Sequence, residues 1–454
     1  MKNPRLLLLM LGVALIGATG AGLLLGVPGS TGSAHIARIN LLVGLMMLAA
    51  VIYFAAVRII LRHAWPRGTV WAVLAVFVCL RILLLTEPPF LSSDIYRYVW
   101  DGRVQAAGIN PYRYVPADQA LSPLRDTVIY PHINRATYAR TIYPPAAELV
   151  FAAVGRIWDS VLGMRLAMLG FEALGVACAL ALLRLAGLPR ERILIYAWNP
   201  LPLWSFACDG HVDAIAVGLL GLALLLRARH RDGSAGAVLA GAVLVKFFPV
   251  VVAPAFLRGG RFWRPALAGI AVIAACYGLY LGAGAHVLGF LPAYTEQEGI
   301  ATGGGIWLLA GLSRIVTLPA NAPIIYAACV AAVFMVLTVA ILRQPPPRND
   351  VKALCRDTGT LAAVSMVAIS PHYHWYFAWL ALPAVIAPSR ALLWLATASL
   401  LLVISPIPND DFIWPSLVYI PALLLLLADL HRSRAMALPS PARPGDIACP
   451  RQSP

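Results

Sequence analysis

Two aspartates stand seven residues apart in a polar stretch of an otherwise apolar chain. Residues 92–114 read SSDIYRYVWDGRVQAAGINPYRY and contain Asp94 and Asp101. On a helix over 94–106, with a turn of about 100° per residue, both carboxylates fall on one stripe. A carboxylate there can accept a proton from a hydroxyl group, as a general base does. Either aspartate could serve, and an ordinary interfacial helix with solvated charges is the alternative interpretation.

A second cluster of polar residues is the turn CDGHVD at 208–213. It sets Asp209, His211 and Asp213 between two short apolar runs. The Asp-x-His-x-Asp spacing could ligate a metal ion from a loop, but three ligands so spaced converge only in an irregular turn. Contact with a sugar or a phosphate group is an equally natural use of these side chains.

A third cluster interrupts an apolar run with the letters SPHYHWYF at 370–377. His372 and His374 can donate hydrogen bonds to a phosphate or a sugar hydroxyl, while Tyr373 and Trp375 offer ring faces to sugar C–H groups. An aromatic belt at a membrane surface explains the tyrosine and the tryptophan without further function. It does not explain the two histidines.

The elements that carry these clusters are predicted to be membrane-spanning helices. Of the 454 residues, 60% are hydrophobic and only 12% are charged, and the mean hydropathy is +0.79. Such a composition indicates a polytopic, all-α membrane protein with spans of about 20 residues. The apolar runs predict twelve spans, at 6–27, 39–57, 70–86, 161–183, 193–207, 212–226, 265–283, 322–342, 358–370, 375–388, 391–404 and 413–430.

The charge pattern predicts how these spans are oriented. The formal net charge of +15 comes almost entirely from arginines at the ends of apolar runs. This distribution indicates positive-inside topology rather than nucleic-acid binding, and it places both termini in the cytoplasm. The polar clusters then all lie on the outer face, together with the long loop 87–160, residues 284–321 and the loop SPIPNDD at 405–411. The seven cysteines show no CxxC pair and therefore support neither a disulfide framework nor a zinc site.

Three segments carry further expectations. Residues 235–257 are apolar but have basic loops at both ends and contain Lys246 and two prolines, which favours a re-entrant hairpin or a broken helix. Glu172 lies inside a predicted span, with Arg165 as its expected ion-pair partner. Residues 1–430 are predicted to form one transmembrane domain, and 431–454 a disordered cytoplasmic tail.

Taken in order, the motifs resemble those of polytopic GT-C glycosyltransferases over roughly residues 70–430. They read D-I-Y-R-Y-x-x-D-G-R, G-x-N-P-Y, Y-P-P, N-P…G-H-x-D-A, K-F-F-P and P-H-Y-H-W-Y-x-A-W. The resemblance is greatest to bacterial polyprenyl-phosphate-dependent mannosyltransferases, those of glycosyltransferase family 87 and its relatives. It implies a GT-C bundle of about twelve transmembrane helices with interfacial helices in a large first outer loop.

The resemblance also implies an activity. A hexose, with mannose expected, would move from a polyprenyl-phosphate donor to a lipid-linked or polysaccharide acceptor on the outer face of the bacterial cytoplasmic membrane, with inversion at the sugar. In such enzymes an acid of the first outer loop is the general base, which here matches Asp94 with Asp101 as its rival. The family's common form has two adjacent acids, whereas Ser92 and Ser93 precede a single one here. The base assignment therefore stays open, a divalent metal has no support, and no other cofactor is expected.

The remaining expected site residues fall into two groups. Contacts to the donor phosphate or sugar are expected from Arg97, Arg103, His211, Asp213, Lys246, His372, Tyr373, His374 and Trp375. Contacts to the acceptor or within the loop are expected from Tyr98, Asn110, Tyr112 and Tyr143. The alternative function is a transporter or flippase of a lipid-linked sugar, with Lys246, Glu172 and Asp209 along its route; a further alternative is a lipid-bound scaffold without catalysis.

Overall fold

The computed structural model describes residues 3–25, 33–85, 87–259, 261–344, 350–404 and 412–437. Within these ranges every regular element is a helix, which confirms the predicted all-α class. The first helices are α1 (Pro4–Leu25), α2 (Ser33–Arg62), α3 (Thr69–Leu85), α4 (Asp94–Ala106), α5 (Pro145–Ile157) and α6 (Val161–Leu185). The middle of the chain forms α7 (Leu194–Ala197), α8 (Pro200–Pro202), α9 (Asp213–Ala228), α10 (Asp232–Val243), α11 (Ala253–Leu257) and α12 (Trp263–Gly278). The last helices are α13 (Leu291–Gln297), α14 (Trp307–Ser313), α15 (Ala322–Arg343), α16 (Val351–Ile369), α17 (Ala381–Ile386), α18 (Arg390–Ala398) and α19 (Ile413–Ala437).

Several of these helices are long and apolar enough to cross a membrane, as predicted. By length and composition the described residues hold five such helices, or six if the pair Trp263–Gly278 and Leu281–Gln297, bent by 110°, counts as one span. The predicted spans at 193–207 and 375–388 are broken into short helical pieces. Prolines within both runs remove backbone donors, so a continuous α-helix is not favoured there. That the chain crosses the membrane twelve times remains a prediction.

The helix predicted over 94–106 is present as α4, but its polar stripe does not face water. Ser92 Oγ accepts a hydrogen bond of 3.2 Å from the Asp94 amide, and Gly108 adopts a φ of 79° just beyond the helix. Arg97 and Asp101, together with Gln105, are buried inside the protein. The alternative interpretation, an interfacial helix with solvated charges, therefore does not hold for Asp101, because α5 packs over that side of α4.

The backbones of α4 and α5 touch where the two helices cross. A Cβ atom on Gly102 would overlap the carbonyl oxygen of Phe151, and one on Gly155 would overlap the backbone of Gly102. Only glycine permits so close an approach of two helices. The contact fixes how α4, and the site at its N-terminus, sits on the rest of the bundle.

The ion pair expected between Glu172 and Arg165 is not formed. Glu172 instead binds Arg81 of α3, with 2.7 Å between Oε1 and Nη2. Arg165 donates to the carbonyl groups of Leu85, at 2.8 Å, and Glu87. The sequence spacing suggested a partner on the same helix, but the nearest cation to Glu172 comes from the neighbouring helix.

The chain is broken where a hairpin or a broken helix was expected. Helix α10 ends at Val243, a non-helical stretch contains Lys246, and a 3-10 turn at Phe248–Val252 leads into α11. Whether this segment re-enters the membrane stays a prediction. The loop at 405–411 and the tail beyond Ala437 lie outside the described residues, and the helix α19 itself continues to Ala437, so a disordered tail also stays a prediction.

Candidate active site

A cavity of about 560 Å³ opens beside the N-terminus of α4. Stretches distant in sequence line it, within 91–97, 134–144, 245–248, 290–300 and 369–376. Of the residues predicted from the sequence to belong to the site, those that line this cavity are Asp94, Arg97, Tyr143, Lys246, Tyr373 and Trp375. The fold therefore brings the opening motif, the K-F-F-P motif and the H-Y-H-W-Y motif to one space.

Asp94 is the first residue of α4, and its half-buried carboxylate faces this cavity. Asn134 donates a hydrogen bond of 3.0 Å to its Oδ1 atom. Burial raises the pKa of Asp94, and the Asn134 hydrogen bond and the charges of Lys246, Arg135 and Arg97 partly oppose that rise. A carboxylate with a raised pKa is a better proton acceptor. The site thus contains a carboxylate suited to remove a proton.

Asp209 holds the chain that leads into α4. Its Oδ1 atom accepts hydrogen bonds of 3.0 Å from the amides of both Phe90 and Leu91. Burial raises the pKa of Asp209 to about 7, against the effect of these backbone hydrogen bonds. Asp209 does not line the cavity, so its contacts position the segment before Asp94.

Asp101 lies one layer deeper, away from the cavity. Arg97 Nε contacts its two carboxylate oxygens at 2.8 and 2.9 Å. On its other side is Glu148, whose carboxylate accepts hydrogen bonds from Gln105 at 2.8 Å and Thr141 at 2.6 Å. Burial raises the pKa of both Asp101 and Glu148. Asp101 therefore orients Arg97 and forms part of a buried network.

Arg97 keeps one donor without a partner. Its Nη1 atom donates to the carbonyl of Ala139 at 3.1 Å and its Nε atom binds Asp101. The Nη2 atom is buried and has no hydrogen-bond partner among the described residues. Because Arg97 lines the cavity and a buried donor without a partner is costly, this atom is available to an anionic ligand.

Lys246 reaches the same cavity from the break after α10. Its Nζ atom is 3.1 Å from Oδ2 of Asp213 and 3.9 Å from the centroid of the Tyr376 ring. Asp213 is buried at the start of α9 and does not line the cavity. The lysine is thus held by a carboxylate and a ring while its cationic group stays close to the space in front of Asp94.

The aromatic wall of the cavity is built from stacked rings. Trp375 stacks on Tyr373 at 4.8 Å and on His211 at 3.9 Å. His211 is fully buried, which lowers its pKa well below the usual value, so the imidazole is neutral. The hydroxyl of Tyr98 is 3.4 Å from His211 Nδ1. Of the predicted residues, His211, Tyr98 and the buried His374 therefore lie outside the cavity, the first two behind Trp375.

Two loop residues support the wall from outside. Tyr112 donates a hydrogen bond of 2.6 Å to the carbonyl oxygen of Tyr143, and Asn110 donates one of 3.2 Å to that of Tyr280. Tyr143 itself lines the cavity. Tyr112 and Asn110 do not, so the structure gives them contacts within the loop.

Two predicted donor contacts are engaged elsewhere. Arg103 bridges Asp126 at 2.7 Å and Asp159 at 2.8 Å, away from the cavity. His372 Nδ1 is 3.4 Å from Glu298 Oε2, and its other nitrogen is 2.9 Å from the carbonyl oxygen of Gly305. The contacts of Arg103 hold loop residues before and after α5. The contacts of His372 hold residues 290–305, called the cover of the cavity because several of them line it, to the run 370–377.

Several residues that line the cavity were not singled out from the sequence. They are Asn134, Arg135, Arg140 and Tyr294. The first three lie in backbone without long helices, where Arg135 adopts a left-handed φ of 56°. No motif spacing marks such positions. Arg135 and Arg140 add two guanidinium groups to the cavity, and that of Arg135 lies 5.9 Å from the centroid of the Tyr294 ring.

Among the described residues, no group of three or more His, Cys, Asp and Glu side chains is arranged to hold a metal ion. In the turn 208–213, Asp209 binds backbone amides, His211 stacks on Trp375 and Asp213 binds Lys246. The three side chains that could have formed a metal site are each occupied by a different partner.

Comparisons with known proteins relate this chain to glycosyltransferases. Residues 6–258 match the model of a family described as "Alpha-(1->6)-mannopyranosyltransferase, N-terminal domain". Over 338 residues, covering 68% of the chain, it is 26% identical to alpha-(1->6)-mannopyranosyltransferase A of Mycobacterium tuberculosis. The alignment covers 64% of that relative, slightly less than two thirds of its length. No solved structure matches the chain.

Proposed function

Because this chain belongs to the alpha-(1->6)-mannopyranosyltransferase family, we propose that it is a membrane glycosyltransferase that moves mannose from a polyprenyl-phosphate donor to a hydroxyl group of a lipid-linked or polysaccharide acceptor. We place the reaction on the outer face of the bacterial cytoplasmic membrane, where the distribution of arginines would locate the site. A lipid-linked donor accords with the all-helical fold of the described residues, which contain no βαβ unit with a Gly-rich loop for a nucleotide-sugar phosphate.

One observation supports this proposal more than any other. A single carboxylate, that of Asp94, shares a cavity with Arg97, Arg135 and Lys246 and with the ring of Trp375. Transfer from a sugar phosphate needs a base for the acceptor, cations for the departing phosphate and a face for the sugar. The cavity contains all three.

The proposed reaction is a direct displacement. The acceptor hydroxyl loses its proton to Asp94 as its oxygen forms a bond to the anomeric carbon. The bond from that carbon to the phosphate oxygen breaks, and polyprenyl phosphate leaves with the electron pair. The unpartnered Nη2 of Arg97 and the Nζ of Lys246 would stabilise the charge that grows on the phosphate.

The stereochemistry follows from this displacement. In-line attack on a β-linked donor inverts the anomeric carbon and gives an α-linked product. An α-linkage agrees with the alpha-(1->6) activity named for the relative and for the family.

Asp94 is a better candidate for the base than Asp101. Asp101 is 1% exposed and receives Arg97 on both of its oxygens, so an acceptor hydroxyl cannot reach it without displacing that guanidinium. Asp94 lines the cavity and has one side-chain partner, Asn134. We therefore assign proton removal to Asp94 and the orientation of Arg97 to Asp101.

The transporter alternative receives less support. Its route would need Lys246, Glu172 and Asp209 along one path. Lys246 lines the cavity, whereas Glu172 is paired with Arg81 inside the bundle and Asp209 binds backbone amides. These three groups therefore have separate structural uses.

The test is transfer by the purified protein in lipid nanodiscs. Radiolabelled polyprenyl-phosphate mannose would be supplied with a panel of mannosylated glycolipids and oligosaccharides, and labelled product separated by chromatography. Asp94→Asn should reduce transfer by about 10²–10⁴-fold, the usual contribution of a general base. Asp118→Asn is the matched control, because this aspartate caps a short 3-10 helix away from the cavity and asparagine preserves the cap.

Two outcomes would contradict the proposal. Undiminished transfer by Asp94→Asn would remove the base assignment. Absence of transfer from every polyprenyl-phosphate sugar, together with movement of that lipid across proteoliposomes, would favour the transporter.

A further inference from the structure

A second cavity, of about 500 Å³, lies between α3 and α6. Trp71 and Leu74 on the first turns of α3 line it, as do Leu180 and Arg184 on the last turns of α6. The turn after α6 and the end of α9 add Arg190 and Arg229. None of these residues belongs to the cavity that contains Asp94.

The two cavities are at opposite ends of the bundle. Near the start of α6, Arg165 donates a hydrogen bond to the carbonyl of Leu85 at the end of α3, on the side where the chain continues towards Asp94. At the other end of the same helices, Trp71 and Arg184 line the second cavity. A helix of 17 residues, as α3 is, spans about 25 Å.

The positive charge in the second cavity has no side-chain counterion among the described residues. Arg184, Arg190 and Arg229 all line the cavity, and the guanidinium group of none of them forms a hydrogen bond or ion pair with another described residue. No aspartate or glutamate is among the lining residues. Three guanidinium groups around one space form a site for an anion with several oxygen atoms, because guanidinium donors pair well with phosphate.

The rest of the cavity wall is apolar and lies on two helices of the bundle, α3 and α6. Leu74 and Leu180 form part of it, and the Trp71 side chain is 70% exposed. Tryptophan is enriched at the depth of lipid headgroups, where one side of the ring is apolar and the other is wet. A ligand that binds both the arginines and the apolar side of the cavity has an anionic headgroup and an apolar chain.

From this arrangement we propose that the cavity binds a membrane phospholipid with an anionic headgroup, its phosphate between the three arginines and an acyl chain along Leu74 and Leu180. Basic pockets between transmembrane helices bind such lipids in general. A free phosphate ion would use the arginines but leave the apolar wall exposed, so the lipid is the occupant to which the proposal commits. It is independent of the glycosyltransferase assignment.

The experiment measures lipid retention by the full chain. The protein in nanodiscs of phosphatidylcholine is titrated with phosphatidylglycerol, and bound lipid is counted by native mass spectrometry after release. The test variant changes Arg184, Arg190 and Arg229 together to glutamine. The matched control changes Arg62, Arg67 and Arg231 to glutamine, which removes the same charge from exposed arginines that do not line the cavity.

We expect wild-type protein to retain phosphatidylglycerol in preference to phosphatidylcholine, and the test variant to lose affinity by about tenfold or more. The control variant should bind as wild type does. Equal loss in both variants would overturn the proposal, because general surface potential would then explain the binding. Equal retention of phosphatidylcholine, or displacement of the lipid by millimolar inorganic phosphate, would overturn it as well.

A second measurement does not depend on the triple variant folding. Phosphatidylglycerol with brominated acyl chains should quench fluorescence from Trp71 in the otherwise unaltered protein. Because Trp71 is exposed, brominated phosphatidylcholine at the same mole fraction measures its quenching by bulk lipid. The additional quenching by phosphatidylglycerol that disappears in Trp71→Phe reports this site. If Trp71→Phe is quenched as strongly as wild type, the lipid does not occupy the cavity.

Discussion

Asn134 Nδ2 lies 3.0 Å from Oδ1 of Asp94 and donates a hydrogen bond to it. The bond connects an exposed loop residue to the first residue of α4. Because a donor to a carboxylate favours the charged form, Asn134 opposes the effect of burial on the pKa of Asp94. The asparagine thus favours the ionised form of the proposed base.

Asn134→Ala should therefore shift the pH dependence of transfer. Loss of the hydrogen bond raises the pKa of Asp94 further, so a higher pH is needed to ionise it. The acidic limb of the profile of kcat/KM should move to higher pH, and transfer near neutral pH should fall. Asn321→Ala is the control, since Asn321 precedes α15 and makes no side-chain cap. If the acidic limb of the profile does not move in Asn134→Ala, Asn134 does not control the pKa of the base.

The pair Lys246 and Asp213 allows structural and donor-binding effects to be separated. Lys246→Gln leaves the Asp213 carboxylate, with 3% of its side chain exposed, without its cation. This should lower the free energy of unfolding by up to about 3 kcal/mol, measured by denaturation in detergent. Adding Asp213→Asn should recover most of the lost free energy of unfolding, because no buried charge then remains unpaired.

Transfer should not recover with stability. Both the single and the double variant lack the cation proposed for the donor phosphate, so KM for the donor should stay about tenfold or more above wild type. Lys352→Gln, an exposed lysine on α16, is the matched control. Recovery of donor KM in the double variant would show that Lys246 acts only by balancing Asp213.

Arg103 should behave as a structural residue. Its guanidinium bridges Asp126 and Asp159 outside the cavity, and these ion pairs are partly exposed. Arg103→Gln should therefore cost about 1–2 kcal/mol of unfolding free energy and leave KM for the donor unchanged. If Arg103→Gln is as stable as wild type but has a raised KM for the donor, Arg103 contacts the donor and its structural assignment is wrong.

The cover of the cavity should depend on pH through His372 and Glu298. The hydrogen bond that His372 donates to the Glu298 carboxylate raises the pKa of His372. His372 in turn lowers the pKa of Glu298, although burial acts in the opposite direction. The ion pair is complete above the lowered pKa of Glu298 and below the raised pKa of His372. It is lost as the pH rises through the latter.

Hydrogen exchange of the amides in α13 measures this effect, because α13 leads directly to Glu298 and three of its residues, Leu291, Tyr294 and Thr295, line the cavity. Exchange should be faster at pH 8 than at pH 6 once corrected for intrinsic rates. In His372→Gln the difference between the two pH values should disappear. The same difference in wild type and variant would exclude this pair as its cause. The effect should be small, since 45% of the His372 side chain is exposed.

The part of the site that lies on regular structure was predictable from the sequence. The helix over 94–106 and the aromatic run containing Tyr373 and Trp375 follow from periodicity and local composition, and the structure has them at one cavity. The sequence did not show which of Arg97 and Arg103 would line the cavity. The acids that bind Arg103 outside it come from loops distant in sequence.

Other features depend on tertiary contacts that no local pattern encodes. Arg135 takes a left-handed φ in a stretch of turns, so its direction is set by what packs around it. The break that carries Lys246 into the cavity was expected, but the pairing of this lysine with Asp213 was not. Hydropathy also counted runs such as 193–207 as spans, since it registers composition and not the interruptions caused by proline.

The contact between Gly102 and Gly155 bears on how rigidly the proposed base is held. A catalytic group has to remain within about 0.5 Å of its productive position, and long side chains at a helix crossing can change rotamer by more than that. At this crossing no side chain separates the two backbones, so α4 cannot slide along α5 without steric overlap. Two glycines, about two helical turns from Asp94, thus hold α4 in the fixed position that proton transfer requires.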